Sequence, residues 1–288
     1  MSTARSLLLL ARPKGSLMLL VGPLTAYGFA HWDYGLEAQR PLALAGVLVA
    51  WIFLSAGSLW LNAALDGDED GALFARAATR PAHLPLFGYG ALAAAVAIAS
   101  LADERSGACC AICAVLAVLY SHPRTMWKAH PVLGPAVNAI GYGVLSWLAG
   151  FFVVRVPLSA RTAAAMALAT IFVFGMSFAA QAYQRDDDAR RGYRTLVVTH
   201  GPAACLRVAS ISTLVALAGV AALAAAGAYP RLVLVGLPVF VLAARTMSRW
   251  RRAPGGGSPE IAAEFAVRMA EGGAVLVALA TIDALVRS

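Results

Sequence analysis

The chain has 288 residues, of which 60% are hydrophobic and only 13% charged, with a net charge of +8 and a mean hydropathy of +0.72. A soluble domain carries about twice that charged fraction, and here the apolar excess is spread over the whole chain, which predicts an all-α polytopic membrane protein. The basic residues cluster in short loops between apolar runs with no soluble domain to carry them, so the positive charge reads as membrane orientation and excludes a nucleic-acid-binding role.

In chain order, apolar runs that approach the ~20 residues a bilayer needs fall at about 15–29, 42–64, 84–102, 107–120, 132–154, 160–183, 202–228, 231–244 and 261–285. Nine transmembrane helices are expected, in one domain covering residues 1–288. Leu7 to Leu10 is followed at once by Arg12, Pro13 and Lys14 before apolar sequence resumes, which does not fit a cleavable signal peptide. The fourth run, "ACCAICAVLAVLY", holds Cys109, Cys110 and Cys113; with no His or further Cys nearby, they read as small apolar filler. "RRAPGGGSPE", 251 to 260, is a flexible linker before the last helix. Nine spans put the termini on opposite sides. The side of the N-terminus then carries fifteen Lys and Arg and the other six, which places the N-terminus and its loops in the cytoplasm and the protein in the cell (inner) membrane.

The acids are distributed differently. Seven of the fifteen lie in two places on that same side, Asp66, Asp68, Glu69 and Asp70, then Asp186, Asp187 and Asp188, each at a helix end beside arginines. In "LNAALDGDED", Asn62, Asp66 and Asp70 are spaced i, i+4, i+8, so a continuing helix brings all three side chains to one face. Three oxygen-bearing side chains make a poor lipid surface and a good site for Mg²⁺. Carboxylates at membrane depth are costly and tend to line a polar cavity, and the neighbouring arginines and lysine supply what a phosphate needs. Asp68 and Glu69 point away from that face and read as a solvated helix end. In "QAYQRDDDARRGYRTLVVTHG", Gln181, Gln184 and Asp188 also fall near one helical face, and Gly192 suggests a turn into the next helix. Glu264, Arg268 and Glu271 share a face of the last helix and read as a mutually paired structural set; His83, His122, His130 and His200 fall in loops.

Taken together, these segments resemble the UbiA superfamily of intramembrane prenyltransferases. Asn62-x-x-x-Asp66-x-x-x-Asp70 followed by Arg80-Pro81 resembles the first Asp-rich motif; "LYSHPRTMWK", with Tyr120, Ser121 and Lys128, is similar to the Tyr-Ser…Lys segment of the next loop; "DARRGYRTLVVTHG" is similar to the second motif, and "ARP" at 11 to 13 to an N-terminal Arg-Pro. The motifs span most of the chain in matching order. The chain departs from the pattern at Ala63, where the family usually has Asp, and at Gln181 and Gln184, which stand where it usually has aspartates; this marks a branch with a Gln-x-Tyr-Gln variant of the second motif.

The resemblance implies a central chamber with its active site at the cytoplasmic side, Mg²⁺ as cofactor, and ionisation of an allylic prenyl diphosphate followed by transfer to a lipophilic, aromatic acceptor. It implies metal ligation by Asn62, Asp66, Asp70, Asp188 and Gln184, with Asp66, Asp70, Asp188 and Lys128 as the catalytic set. Diphosphate binding falls to Arg12, Arg76, Arg80, Lys128, Arg194 and Gln184, and Tyr120, Tyr142 and Tyr183 face the cation or acceptor. A terpene cyclase of the same superfamily, in which the prenyl cation attacks itself, is the alternative enzyme, and a transporter or structural membrane protein the non-enzyme one.

Overall fold

The computed structural model describes residues 2–66 and 79–287, with the side chains of Asp66 and of residues 284–287 outside that description. Among the described residues the protein is helical with no strand. Eight helices are long and apolar enough to cross a membrane, and an N-terminal pair bent by 45° makes a ninth when taken as one span. That pair is α1 (Thr3–Leu10) joined to α2 (Pro13–Met18) and α3 (Val21–Tyr34). The first span expected at 15–29 therefore extends in both directions, with its break at Arg12–Pro13. Pro13 lacks the N–H that would continue the helix, and Arg12 takes a left-handed conformation with φ 47°. The short segment α1 is tied to α4 (Pro41–Asp66) where Trp60 Nε1 donates to the Leu7 carbonyl at 2.9 Å.

α4, α5 (Leu84–Ala102) and α6 (Glu104–Ser121) form one packed group. Close approach of α4 and α5 depends on Gly57 and Gly88: a β-carbon on Gly57 would lie 2.8 Å from the Gly88 carbonyl oxygen. Between apolar helices in lipid, such small-residue contacts and the dispersion they permit supply the association that water would otherwise drive. The fifth span is composite: α7 (Leu133–Asn138), a π-helical segment Ala139–Leu145, and α8 (Ser146–Phe152). α9 (Ala160–Gln181), α12 (Pro202–Ala225), α14 (Phe240–Arg252) and α15 (Pro259–Arg287) make the second half, with short α10 (Arg185–Arg190), α11 (Leu196–His200) and α13 (Val233–Gly236) between them. A fully buried tryptophan anchors each of three apolar clusters: Trp51 between α4, α5, α6 and α8, Trp147 between α3, α8 and α9, and Trp250 between α9, α12, α14 and α15.

The end of the bundle where α4 begins and α5 meets α6 is closed by charge. Asp103, 4% exposed, caps α6 by accepting from the N–H groups of Arg105 and Ser106, and its other oxygen accepts from Arg40 (3.1 Å) and Arg155 (3.3 Å). Arg40 also donates to the carbonyls of Ala102 and Val153. Both arginines are left-handed, with φ 53° and 60°, a conformation that costs non-glycine residues about 1–3 kcal/mol and persists where the surroundings fix it. Burial pushes the Asp103 carboxyl up, but the two guanidinium groups and the two N–H groups outweigh it and hold the carboxyl below its ordinary value. Two further acids at this end are likewise engaged: Asp33 with Ser159, Arg161 and Thr162, and Asp283 with Trp32 and the Leu232 N–H.

Candidate active site

At the other end of the same helices a cavity of about 310 Å³ opens between the two halves of the bundle. Four separate stretches of chain bring polar groups to its mouth. The break between α1 and α2 delivers Arg12, the last turns of α4 deliver Asn62, the end of α6 and the loop after it deliver Tyr120 and Lys128, and the α9–α11 region delivers Gln181, Tyr183, Gln184, Asp188, Arg191 and Thr195. Deeper in, the lining turns apolar, with Leu54, Leu116, Ala117, Val137 and Gly141, relieved by Tyr142, which hydrogen-bonds Ser58.

Lys128 is the buried cation of this mouth, 7% exposed. It sits on a short 3-10 turn, Trp127–Ala129, that begins from a left-handed Met126 with φ 43°. Its Nζ donates to Asn62 Oδ1 at 2.8 Å, and Ser121 Oγ donates to the same oxygen at 3.1 Å. An ammonium only donates, so the amide oxygen of Asn62 and not its nitrogen must face it. Asn62 thus joins α4, the end of α6 and the Lys128 turn, and its carbonyl oxygen is engaged on both sides.

The second acidic segment is built differently from one continuous helix. α9 ends at Gln181, the chain turns through 182–184, and α10 starts with Gln184 as its N-cap residue. The N–H of Gln184 donates to the Gln181 carbonyl, and that of Asp188 to the Gln184 carbonyl. Gln181, Gln184 and Asp188 nevertheless all line the cavity. Asp188 is 9% exposed and accepts from Thr195 Oγ1 at 2.7 Å. Gln184 Nε2 donates to the Tyr183 hydroxyl at 3.4 Å. Gln181 Oε1 is buried with no hydrogen-bond partner among the described residues, an arrangement that costs about 1–3 kcal/mol unless a donor or cation arrives from the cavity.

The expected residues fall into three groups. Arg12, Asn62, Tyr120, Lys128, Tyr142, Tyr183, Gln184 and Asp188 come together around the cavity. Asp70 and Arg76 lie outside the described residues, as does the side chain of Asp66, so the i, i+4, i+8 face beyond Asn62 is not described. Arg80 and Arg194 are exposed and line no part of the cavity; the Arg194 N–H donates instead to the Ala129 carbonyl, fastening the second motif to the Lys128 turn. Arg191, one turn after Asp188 at the C-cap of α10, takes the place at the mouth expected of Arg194. The i, i+3 spacing from Asp188 was the signal in the sequence for it, and Gly192 with φ 71° turns the chain away before Arg194 is reached.

The polar residues of the last helix pair outward. Glu264 binds Thr246 and Arg249 of α14, and Arg268 binds Glu271. His122 and His130 accept backbone N–H groups in their own loop. Among the described residues no cluster of three His, Cys, Asp or Glu side chains is placed to hold a metal by itself.

The model of the UbiA prenyltransferase family matches residues 19–262. Among solved structures, a UbiA homologue from Archaeoglobus fulgidus bound to DMAPP and Mg²⁺ superposes with a TM-score of 0.69 at 19% identity, covering 98% of this chain and 99% of its own. The same homologue bound to GPP and Mg²⁺ gives 0.69 at 18% identity, over 96% of this chain and 99% of that one. A structure of digeranylgeranylglyceryl phosphate synthase gives 0.62 at 14% identity, over 99% and 98%. At these identities the likeness is one of fold. A comparison with curated proteins finds no match.

Proposed function

The chain belongs to the UbiA prenyltransferase family, and from that premise we propose that it is an Mg²⁺-dependent intramembrane prenyltransferase, which ionises an allylic prenyl diphosphate and passes the prenyl group to a lipophilic, aromatic acceptor. The observation that carries this reading is a cavity that joins a mouth of cations and oxygen donors to an apolar interior.

Mg²⁺ fits the residues present. Asp188 offers a carboxylate, and Gln181, whose buried Oε1 has no partner among the described residues, lines the same cavity; such oxygens are the ligand chemistry this cation prefers. Asp188 and Gln181 would hold it, joined by Asp66 and Asp70 of the first motif and with Gln184 at the edge of the set. When bound, Mg²⁺ supplies positive charge against the departing diphosphate.

The remaining work falls to the chain itself. Lys128, fixed by Asn62, together with Arg12 and Arg191, binds the diphosphate and stabilises the negative charge that grows on it as the allylic carbon–oxygen bond breaks. The apolar walls exclude water that would otherwise quench the prenyl cation. Tyr120, Tyr142 and Tyr183 line that space, and their ring faces favour a nearby cation by about 0.5–2 kcal/mol. The Lys/Arg bias of the loops supports a mouth that faces the cytoplasm.

The test is diphosphate release by the purified protein in lipid nanodiscs with geranyl diphosphate and Mg²⁺, with and without a phenolic acceptor. Acceptor-dependent release and a prenylated product are expected, and Lys128→Met should lower the rate ~10²-fold, the scale of losing one charge-stabilising donor. Cyclic or linear hydrocarbons formed without acceptor would make the protein a terpene cyclase instead. Release that is indifferent to Mg²⁺ would remove the metal from the reading.

A further inference from the structure

We propose that this chamber selects short prenyl chains, C5 to C10, that Cys113 and Leu54 form the floor that sets the limit, and that Gly141 keeps the space above it open. The proposal rests on the prenyl diphosphate reading above and names the substrate class within it.

The depth of the cavity can be read from its walls. On α4 the lining residues run from Asn62 at the mouth to Leu54 at the far end, eight residues or about 12 Å along the axis. On α6 they run from Tyr120 to Cys113, seven residues or about 10 Å. The two estimates agree, and both walls stop at the same level. Beneath that level lies the packed cluster around Trp51, with Leu54 4%, Cys113 7%, Cys110 0% and Trp51 1% exposed. An isoprene unit adds four bonds of about 1.5 Å each, or roughly 5 Å of extended chain. Two units therefore reach the floor from a diphosphate held at Lys128 and Asn62, and three or four overrun it. The volume of about 310 Å³ stands at the lower end of small-molecule sites, which run from roughly 300 to 1,000 Å³.

The floor itself has a specific construction. The π-helical segment Ala139–Leu145 widens the helix at Gly141, and the Gly141 carbonyl accepts from Cys113 Sγ at 3.6 Å. The same carbonyl also accepts the Ser146 N–H, and π-helical turns recur at functional sites. A β-carbon built on Gly141 meets only Cys113 Sγ, at 4.0 Å. Packing inside the helix bundle therefore does not demand glycine there; the space a side chain would occupy belongs to the cavity. Gly141 keeps the last part of the chamber open, and Cys113 and Leu54 close it below.

The experiment measures competition by C5, C10, C15 and C20 prenyl diphosphates, with inorganic diphosphate as reference, for the purified full-length protein in Mg²⁺. Affinity should rise from C5 to C10 and fall at least tenfold at C15 and C20. Gly141→Leu should lose C10 by at least tenfold while keeping C5; Gly141→Ala, which adds a single carbon in ordinary contact, reports the same trend in smaller measure if the larger variant does not fold. Leu54→Ala should move the preference toward C15. Equal or tighter binding of C15 or C20 by the unmodified protein, or an unchanged C10-to-C5 ratio in both Gly141 variants, overturns the floor and leaves the proposed function standing. Binding of every prenyl diphosphate no better than inorganic diphosphate overturns the proposed function itself.

Discussion

Asp103 and Asp188 are both buried acids of this protein, 4% and 9% exposed, and they stand at opposite ends of the bundle. Asp103 has each oxygen filled: two backbone N–H groups on one and two guanidinium groups on the other, which uses the four acceptor positions a carboxylate has. Asp188 is held from one side by Thr195 and faces a cavity on the other. The same side chain at the same depth is thus spent on two purposes. Where the charge is wholly satisfied from within the protein, it fixes helices to one another. Where the acid lines a cavity, it stands within reach of whatever enters there. The contrast extends to the cations: Arg40 and Arg155 are bound into the closed end, whereas Lys128, Arg12 and Arg191 surround a space.

Substitutions at the two ends should separate cleanly by what they change. The largest effect is expected for Asp188→Asn, which should cut diphosphate release by ~10²–10³-fold, the range found when a charge-stabilising group is removed from an active site, with little change in thermal unfolding. A variant that unfolds early instead would show that Asp188 is as structural as Asp103. Asp103→Ala should do the reverse, costing roughly 1–3 kcal/mol of stability because its partners lose their acceptor while remaining able to rehydrate, with the rate per folded molecule unchanged. The same carboxyl gives a pH signature. Its folded value lies below the unfolded one near 4, so its stabilisation is complete at neutral pH and is lost as pH falls below about 4 through the lowered value. Melting curves of the unmodified protein and Asp103→Ala should accordingly converge in acid, and a constant gap down to pH 3 would contradict the network. The smallest effect belongs to Arg155→Gly. An ion pair whose arginine side chain is 64% exposed is worth about 0–1 kcal/mol, and glycine relieves the left-handed backbone, so stability should move by under ~1 kcal/mol in either direction.

Much of this contrast was legible in the sequence at one end and little at the other. The spans follow from the apolar runs because lipid demands length and hydropathy and little else. The segments 107–120 and 231–244, short as apolar runs, prove to be the centre of α6 and the first part of the span 233–252, which polar residues such as Glu104 and Arg249 extend. The gathering of Arg12, Asn62, Lys128 and Asp188 was readable because a row of oxygen donors and cations is out of place in a hydrophobic chain. The break at 182–184 was not, since neither glycine nor proline marks it; its first residue, Ala182, is fully buried and caps α9. The closed end was invisible for another reason: Arg40, Asp103 and Arg155 lie in separate loops, with no spacing or motif to connect them, and only the fold brings them within 3.3 Å.

The reach of Arg40 bears on how the protein is made. The carbonyl it binds at Val153 lies 113 residues further along the chain, and at the usual ~5–20 residues per second of synthesis that partner emerges roughly 6–23 s after the arginine does. Asp103 arrives in between, and Arg155 only after Val153. All four are nevertheless complete before Asp188 has been translated. The helices from α3 to α8 can therefore be latched together at one end while the ribosome is still supplying the second acidic segment, which is then added to a frame already assembled.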